Sequence, residues 1–157
     1  MDKHTFFSEA SAKKLTSDLN EALATTYMLY VKTQNFHWNV EGCHFYSLHK
    51  MFEGQYEELS DAVDTLAERV RQLGFKAAGS MKEFISLSHI KESAKTPDAM
   101  GMVQELFLDR QSLANFLHKK IRAAQKLADE ATADIYIEQL RLHDKAAWML
   151  KSHLGGK

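Results

Sequence analysis

Between Asn35 and Arg69 the chain reads NFHWNVEGCHFYSLHKMFEGQYEELSDAVDTLAER, a stretch rich in side chains that can bind a metal ion. His49 and Glu53 are four residues apart, and so are Asp64 and Glu68. On an α-helix that spacing sets one side chain above the other on a single face. With His49 at zero and about 100° per residue, Glu53 falls near ~40°, Asp64 near ~60° and Glu68 near ~100°. The four share roughly a quarter of the helix circumference. Along the axis, Glu53 and Asp64 lie about 16 Å apart. Metal–ligand bonds are about 2 Å long, so one ion cannot reach both ends of this row.

Two readings follow. In one, the row is the solvated face of an amphipathic helix. In the other, the helix pairs antiparallel with its copy about a two-fold axis near Glu58 and Leu59, and the His49/Glu53 end meets the partner's Asp64/Glu68 end. Such an isologous contact makes two equivalent sites, each fed by both subunits. His37, twelve residues before His49 and across a turn marked by Gly42, can fold back onto the start of that helix. Two imidazoles and three carboxylates form a mixed hard and borderline donor set that suits Fe(II), Mn(II) or Zn(II).

The elements that must position these groups are long helices. A chain of 157 residues with 45% hydrophobic residues suffices for one domain spanning 1–157, preceded by a short tail over 1–7. One Pro and seven Gly leave little material for turns, which favours long helices over many short strands. Ser8 is an expected N-cap, and Leu15, Leu19, Ala22, Thr26, Leu29, Thr33 and Phe36 form the seam of a first helix. Phe45, Leu48, Phe52, Tyr56, Leu59, Val63, Leu66, Val70 and Leu73 mark a second, stopped by Gly74. More than twenty residues of crossover follow, in which SMKEFISLS can form two turns.

Thr96-Pro97-Asp98 reads as N-cap, N1 and N2 of a third helix with apolar marks from Val103 to Ala128. The fourth carries Tyr136, Leu140, His143, Ala147, Leu150 and Leu154 and ends at Gly155-Gly156. Short links within each helix pair and one long link between pairs predict an all-α, ferritin-like four-helix bundle, with a short helix in the crossover between helices two and three. Tyr27, Tyr30, Phe107, Phe116 and Trp148 are apolar or aromatic on outer faces, which calls for extra core or a subunit interface.

Composition excludes several classes. A net charge of −1 and a pI near 6.7 do not mark a nucleic-acid binder. A lone cysteine, Cys43, fits a reducing compartment, and no apolar run or leader suggests a membrane, so a soluble cytoplasmic protein is expected. The Glu-x-x-His pairs of bundles that hold two metals inside one chain are missing. Glu41-Gly42-Cys43-His44 falls on the turn, and His89-Ile90-Lys91-Glu92 is reversed and lies in the crossover.

The run NFHWNVEGCHFYSLHKMFEGQYEELSDAVDTLAERVRQLG closely resembles the signature of the Dps family of small ferritin-like proteins, and KEF in the crossover and the ending HDKAAWMLKSHL are similar to it as well. The resemblance implies a hollow shell of twelve subunits built from two-fold dimers. It also implies ferroxidase sites at the two-fold interfaces, iron oxide stored inside, and hydrogen peroxide as the preferred oxidant of Fe(II). By position, the family's ligands match His37 and His49, with Asp64 and Glu68 supplied by the neighbouring subunit. The proximal acid falls at Glu53, where Asp is common. Iron would be held as one ion or two, with Zn(II) or Mn(II) able to substitute. Trp38 matches the tryptophan beside the site, an oxidisable ring that is equally explained as an aromatic at the subunit contact. Asp129, Glu130 and Asp134 resemble the acidic lining of three-fold iron-entry pores, or serve simply as helix N-terminal acids. Glu57, Glu58 and Asp61 are candidates for the cavity wall.

Some members of the family compact DNA, which gives the alternative reading of a nucleoid-associated structural protein. Its support would be a lysine-rich tail, but Lys3 is balanced by Asp2, Lys13-Lys14 fall on the first helix, and the C-terminus adds only Lys151 and Lys157. His4, His89, His118 and His153 are expected at the surface, His44 near the turn, and His143 as a satisfied core histidine.

Overall fold

A computed structural model describes residues 7–155. The tail residues Asp2, Lys3 and His4, and Gly156 and Lys157, lie outside the described residues. Five helices follow in order: α1 (Glu9–Asn39), α2 (Phe45–Gln72), α3 (Met81–Leu87), α4 (Ala99–Lys126) and α5 (Glu130–His153). No strand occurs among the described residues. The long helices pair as α1 with α2 and α4 with α5, and the crossover carries α3 against α1. This is the ferritin-like bundle that the seams predict.

Local chemistry explains the boundaries. Ser8 caps α1, its hydroxyl accepting from the Ser11 amide. The Leu15-to-Phe36 seam is buried throughout and shares one core with Leu48, Phe52, Leu59, Leu66, Val103, Leu106, Leu113, Leu117, Tyr136 and Leu150. At Gly42 φ is +99° and at Gly74 +87°, left-handed values that end the two link segments of α2 at low steric cost. A capping box between Ser80 and Glu83 starts α3.

Two boundaries differ from the sequence expectation. The N-cap of α4 is Asp98, whose carboxylate accepts from the Gly101 amide at 2.7 Å, and Thr96 and Pro97 precede the helix. Pro97 folds over the first turn instead of joining it, and a Cβ on Gly101 would stand 2.8 Å from the Pro97 Cβ, so glycine is required there. Ala128 does not belong to the α4 stripe. It lies past the C-cap with φ of 57°, exposed, in a turn where its amide donates to Gln125 O and the Asp129 amide to Ala124 O. Those two bonds are the Schellman pattern, which needs one residue in the left-handed region.

The crossover accounts for part of the outer aromatic surface. Tyr27 stacks on Phe84 of α3 at 4.4 Å, and Phe116 packs against His89 at 5.0 Å. His89, expected simply at the surface, pins the crossover to α1 by a bond between Nδ1 and the Thr25 hydroxyl at 3.2 Å. Trp148, by contrast, remains exposed.

Because a β-carbon is disfavoured in the left-handed region, Ala128→Gly is expected to stabilise the fold by about 1 kcal/mol. A higher urea midpoint with unchanged slope would show it, and a lower midpoint would count against this account of the turn.

Candidate metal centre

His37 stands in the last turn of α1 and His49 in the second turn of α2, and the turn around Gly42 returns the chain so that their rings stack 3.8 Å apart at 16°. Nδ1 of His37 bonds the carbonyl of His49 at 2.8 Å, and Nδ1 of His49 bonds the carbonyl of His37 at 2.8 Å. A carbonyl oxygen only accepts, so each Nδ1 carries the proton and donates. Each Nε2 is then the unprotonated nitrogen, with its lone pair free for a metal. The exchange fixes both tautomers and both ring orientations at once.

Aromatic rings hold this pair on either side. Tyr56 sets its edge on His37 at 5.2 Å, and Phe45 stacks on His49 at 5.0 Å. Both were legible only as core marks on the α2 stripe, although Phe45 is four residues from His49 and Tyr56 seven. Trp38 follows His37 directly but is not part of this ring stack, and in the protomer it is 65% exposed.

Glu53 lies one turn beyond His49 on α2. Its Oε2 accepts from Nζ of Lys50 at 2.6 Å, and this bond, reinforced by the Lys50 charge and opposed by burial, holds the Glu53 carboxyl below its ordinary range. The reciprocal effect raises the Lys50 ammonium. As an exposed pair it adds little stability, but it keeps Glu53 anionic beside the two imidazoles. Lys50 was missed by sequence reasoning, though its spacing of three from Glu53 is the ordinary signal for a helical ion pair.

Asp64 and Glu68 are exposed on α2, and Asp64 lies about 16 Å along the axis from Glu53. Among the described residues no three His, Cys, Asp or Glu side chains come together within one protomer to hold an ion. The acids expected at the start of α5 divide. Glu130 and Asp134 are exposed, whereas Asp129 is buried at 2% exposure. Asp129 Oδ1 accepts from Arg69 Nη2 at 2.7 Å and from the Thr132 amide at 3.0 Å, and Oδ2 accepts from the Thr132 hydroxyl. It caps α5 and ties it to α2, which leaves its carboxylate engaged.

A ferritin-like domain model matches residues 16–156. The DNA protection during starvation protein 2 of Bacillus anthracis is 36% identical over 142 residues, covering 90% of this chain and 97% of that protein. The chain belongs to the Dps family. Among solved structures, Dps from Staphylococcus aureus superposes with a TM-score of 0.89 at 36% identity, over 92% of this chain and 97% of its own. The Dps protein of Vibrio cholerae O1, described as a member of a broad superfamily of ferritin-like diiron-carboxylate proteins, gives a TM-score of 0.92 at 28% identity over 98% of each chain. Within this Dps chain, the two oriented imidazoles and the adjoining Glu53 are the groups best prepared for a borderline divalent ion.

Removing either imidazole, in His37→Ala or His49→Ala, is expected to weaken Zn(II) binding to the assembled protein by at least about tenfold. Lys50→Ala, which frees Glu53, is expected to strengthen it by a small factor. Isothermal titration reads both, and undiminished affinity in His37→Ala would contradict the tautomer assignment's functional meaning.

Proposed function

We propose that this chain is a ferroxidase that oxidises Fe(II) at sites shared by two subunits and stores the ferric product inside a hollow shell. The observation that carries the reading is the mutual fixing of His37 and His49, which spends both Nδ1 protons on backbone carbonyls and leaves two aligned Nε2 donors. His37, His49 and Glu53 of one protomer would be completed by Asp64 and Glu68 of a second, because one chain keeps these two groups of ligands too far apart for one ion. Membership of the Dps family supports that assembly, with twelve subunits as the expected number and protection against peroxide stress as the expected benefit.

Fe(II) enters as a hydrated cation, and acids at a pore raise its local concentration. Glu130 and Asp134 are suited to this, while Asp129 keeps its structural task. At the site, carboxylates favour the ferric state over the ferrous, and Zn(II) or Mn(II) would occupy the same donors without completing the reaction. Two Fe(II) supply the two electrons that, with two protons, reduce one hydrogen peroxide to two waters. The paired electrons make release of a hydroxyl radical unnecessary. Trp38, next to His37 in the chain, would take up an escaped oxidising equivalent or fill the subunit contact. Ferric product then hydrolyses against acids such as Glu57, Glu58 and Asp61.

No helix among the described residues is long and apolar enough to cross a membrane. For DNA compaction, the alternative function, Lys13 and Lys14 are already engaged with Glu9 and Asp18, which reduces the free charge on α1.

Peroxide consumption measured against anaerobic Fe(II) oxidation is expected to give one peroxide for each pair of iron ions. His37→Ala/His49→Ala is expected to lose this reaction while keeping its helical content. A wild-type rate in that double variant would remove the proposal.

A further inference from the structure

Three of the chain's five tyrosines lie in one line of rings that begins at His37. Tyr56 of α2 sets its edge on His37, with ring centroids 5.2 Å apart at 73°. Tyr30 of α1 stands against Tyr56 at 6.0 Å and 79°, and Tyr27, one turn earlier on α1, lies 5.7 Å from Tyr30 at 58°. Tyr27 in turn stacks on Phe84 of α3 at 4.4 Å. These are the spacings of aromatic rings in contact. Helix register produces them. Tyr27 and Tyr30 share a face of α1, Tyr56 sits two turns past His49 on α2, and the α1–α2 hairpin sets the two faces together. All three rings are half-buried.

The order of residue types along this line matters chemically. A phenol loses one electron far more readily than phenylalanine or a neutral imidazole, and it gives up its proton at the same time. Electrons pass readily between rings that touch. The line therefore joins a metal-binding imidazole to three successive oxidisable groups and ends on Phe84, which is not one. Trp38 is next to His37 in the chain but lies outside the line, and it is 65% exposed. Counting electrons shows what such a line can do. Hydrogen peroxide takes two electrons and two protons to become two waters, and a single Fe(II) gives one electron. Without a second donor in place, the one-electron product is hydroxyl radical.

We propose that Tyr56, Tyr30 and Tyr27 are a one-electron store for the metal centre, an inference that rests on the ferroxidase reading above. When a single Fe(II) is bound, Tyr56 supplies the second electron through the His37 ring. Iron becomes Fe(III) and Tyr56 becomes a neutral phenoxyl radical. The O–O bond breaks as the two oxygens take up the phenolic proton and one proton from solvent, giving two waters. Tyr30 and then Tyr27 refill their neighbour by the same exchange of one electron and one proton, which carries the radical along α1 away from His37. The next Fe(II) to bind returns one electron, and solvent returns one proton. The phenol is restored, and the sum remains two Fe(II) for each peroxide.

Rapid-freeze electron paramagnetic resonance tests this on the assembled full chain, loaded anaerobically with fewer Fe(II) than sites and mixed with one peroxide for each iron. The wild type is expected to show a phenoxyl signal, narrowed when the protein carries ring-deuterated tyrosine and quenched by a second addition of Fe(II). Tyr56→Phe keeps the ring and removes the hydroxyl. It is expected to lose the signal and to release hydroxyl radical, read as spin-trap adducts that the wild type does not give. Trp38→Phe and Tyr46→Phe are expected to leave the signal unchanged. Tyr30→Phe, which cuts Tyr27 off from Tyr56, is expected to shorten its lifetime, and an unchanged lifetime would overturn the roles of Tyr30 and Tyr27. Fe(II) oxidation with no phenoxyl signal, or an equal signal in Tyr56→Phe, would overturn the store and leave the ferroxidase reading standing. Absence of peroxide-driven Fe(II) oxidation in the wild type would remove both.

Discussion

The exchange of hydrogen bonds between His37 and His49 is the constraint on which the rest of this molecule depends. Each imidazole gives its proton to the other residue's carbonyl, at 2.8 Å in both directions. Such an exchange is possible only if the end of one helix and the start of the next approach at a fixed distance and angle. The α1–α2 hairpin, the left-handed Gly42 and the packing of Phe45 and Tyr56 against the rings all serve that approach. A histidine ligand held by an outer hydrogen bond is better oriented than a free one. Here each histidine's carbonyl orients the other's ring, so the two stand or fall together.

Much of the fold was written in the periodicity of the chain. The α1 seam and most of the α2 stripe became one core, while Phe45 at the start of that stripe is exposed and Tyr56 lies outside the core, and the Ser80/Glu83 pair capped the expected crossover helix. The misread boundaries share a cause. At Asp98 and Ala128 the deciding features are a dihedral angle and a backbone hydrogen bond, which residue type constrains only weakly. Thr96-Pro97-Asp98 offered two good caps within three residues, and only the position of Pro97 against Gly101 selects the second.

The site was legible to a lesser degree, in ways that follow from physics. Spacing along a helix gave the face shared by His49, Glu53, Asp64 and Glu68, and the turn gave the return of His37. Spacing could not give the tautomers, the Lys50 bond to Glu53, or the burial of Asp129 against Arg69, since each depends on contacts that the sequence does not order. His143 illustrates the same limit. Its apolar stripe predicts a satisfied core histidine, yet only Nδ1 has a partner, the buried guanidinium of Arg110. The bundle interior thus carries a fixed cation where metal-binding bundles of one chain carry carboxylates. That charge pattern agrees with the proposal that metal chemistry takes place at a contact between chains.

Sharing between protomers is the central claim, and complementation of two inactive variants tests it most directly. His37→Ala/His49→Ala and Asp64→Ala/Glu68→Ala would be dissociated, mixed in equal amounts and reassembled, and Fe(II) oxidation followed with peroxide. Random pairing about a two-fold axis restores one intact site in each mixed dimer, so about a quarter of the wild-type rate is predicted. A mixture as inactive as its two components, with mixed assembly verified by mass, would contradict the account.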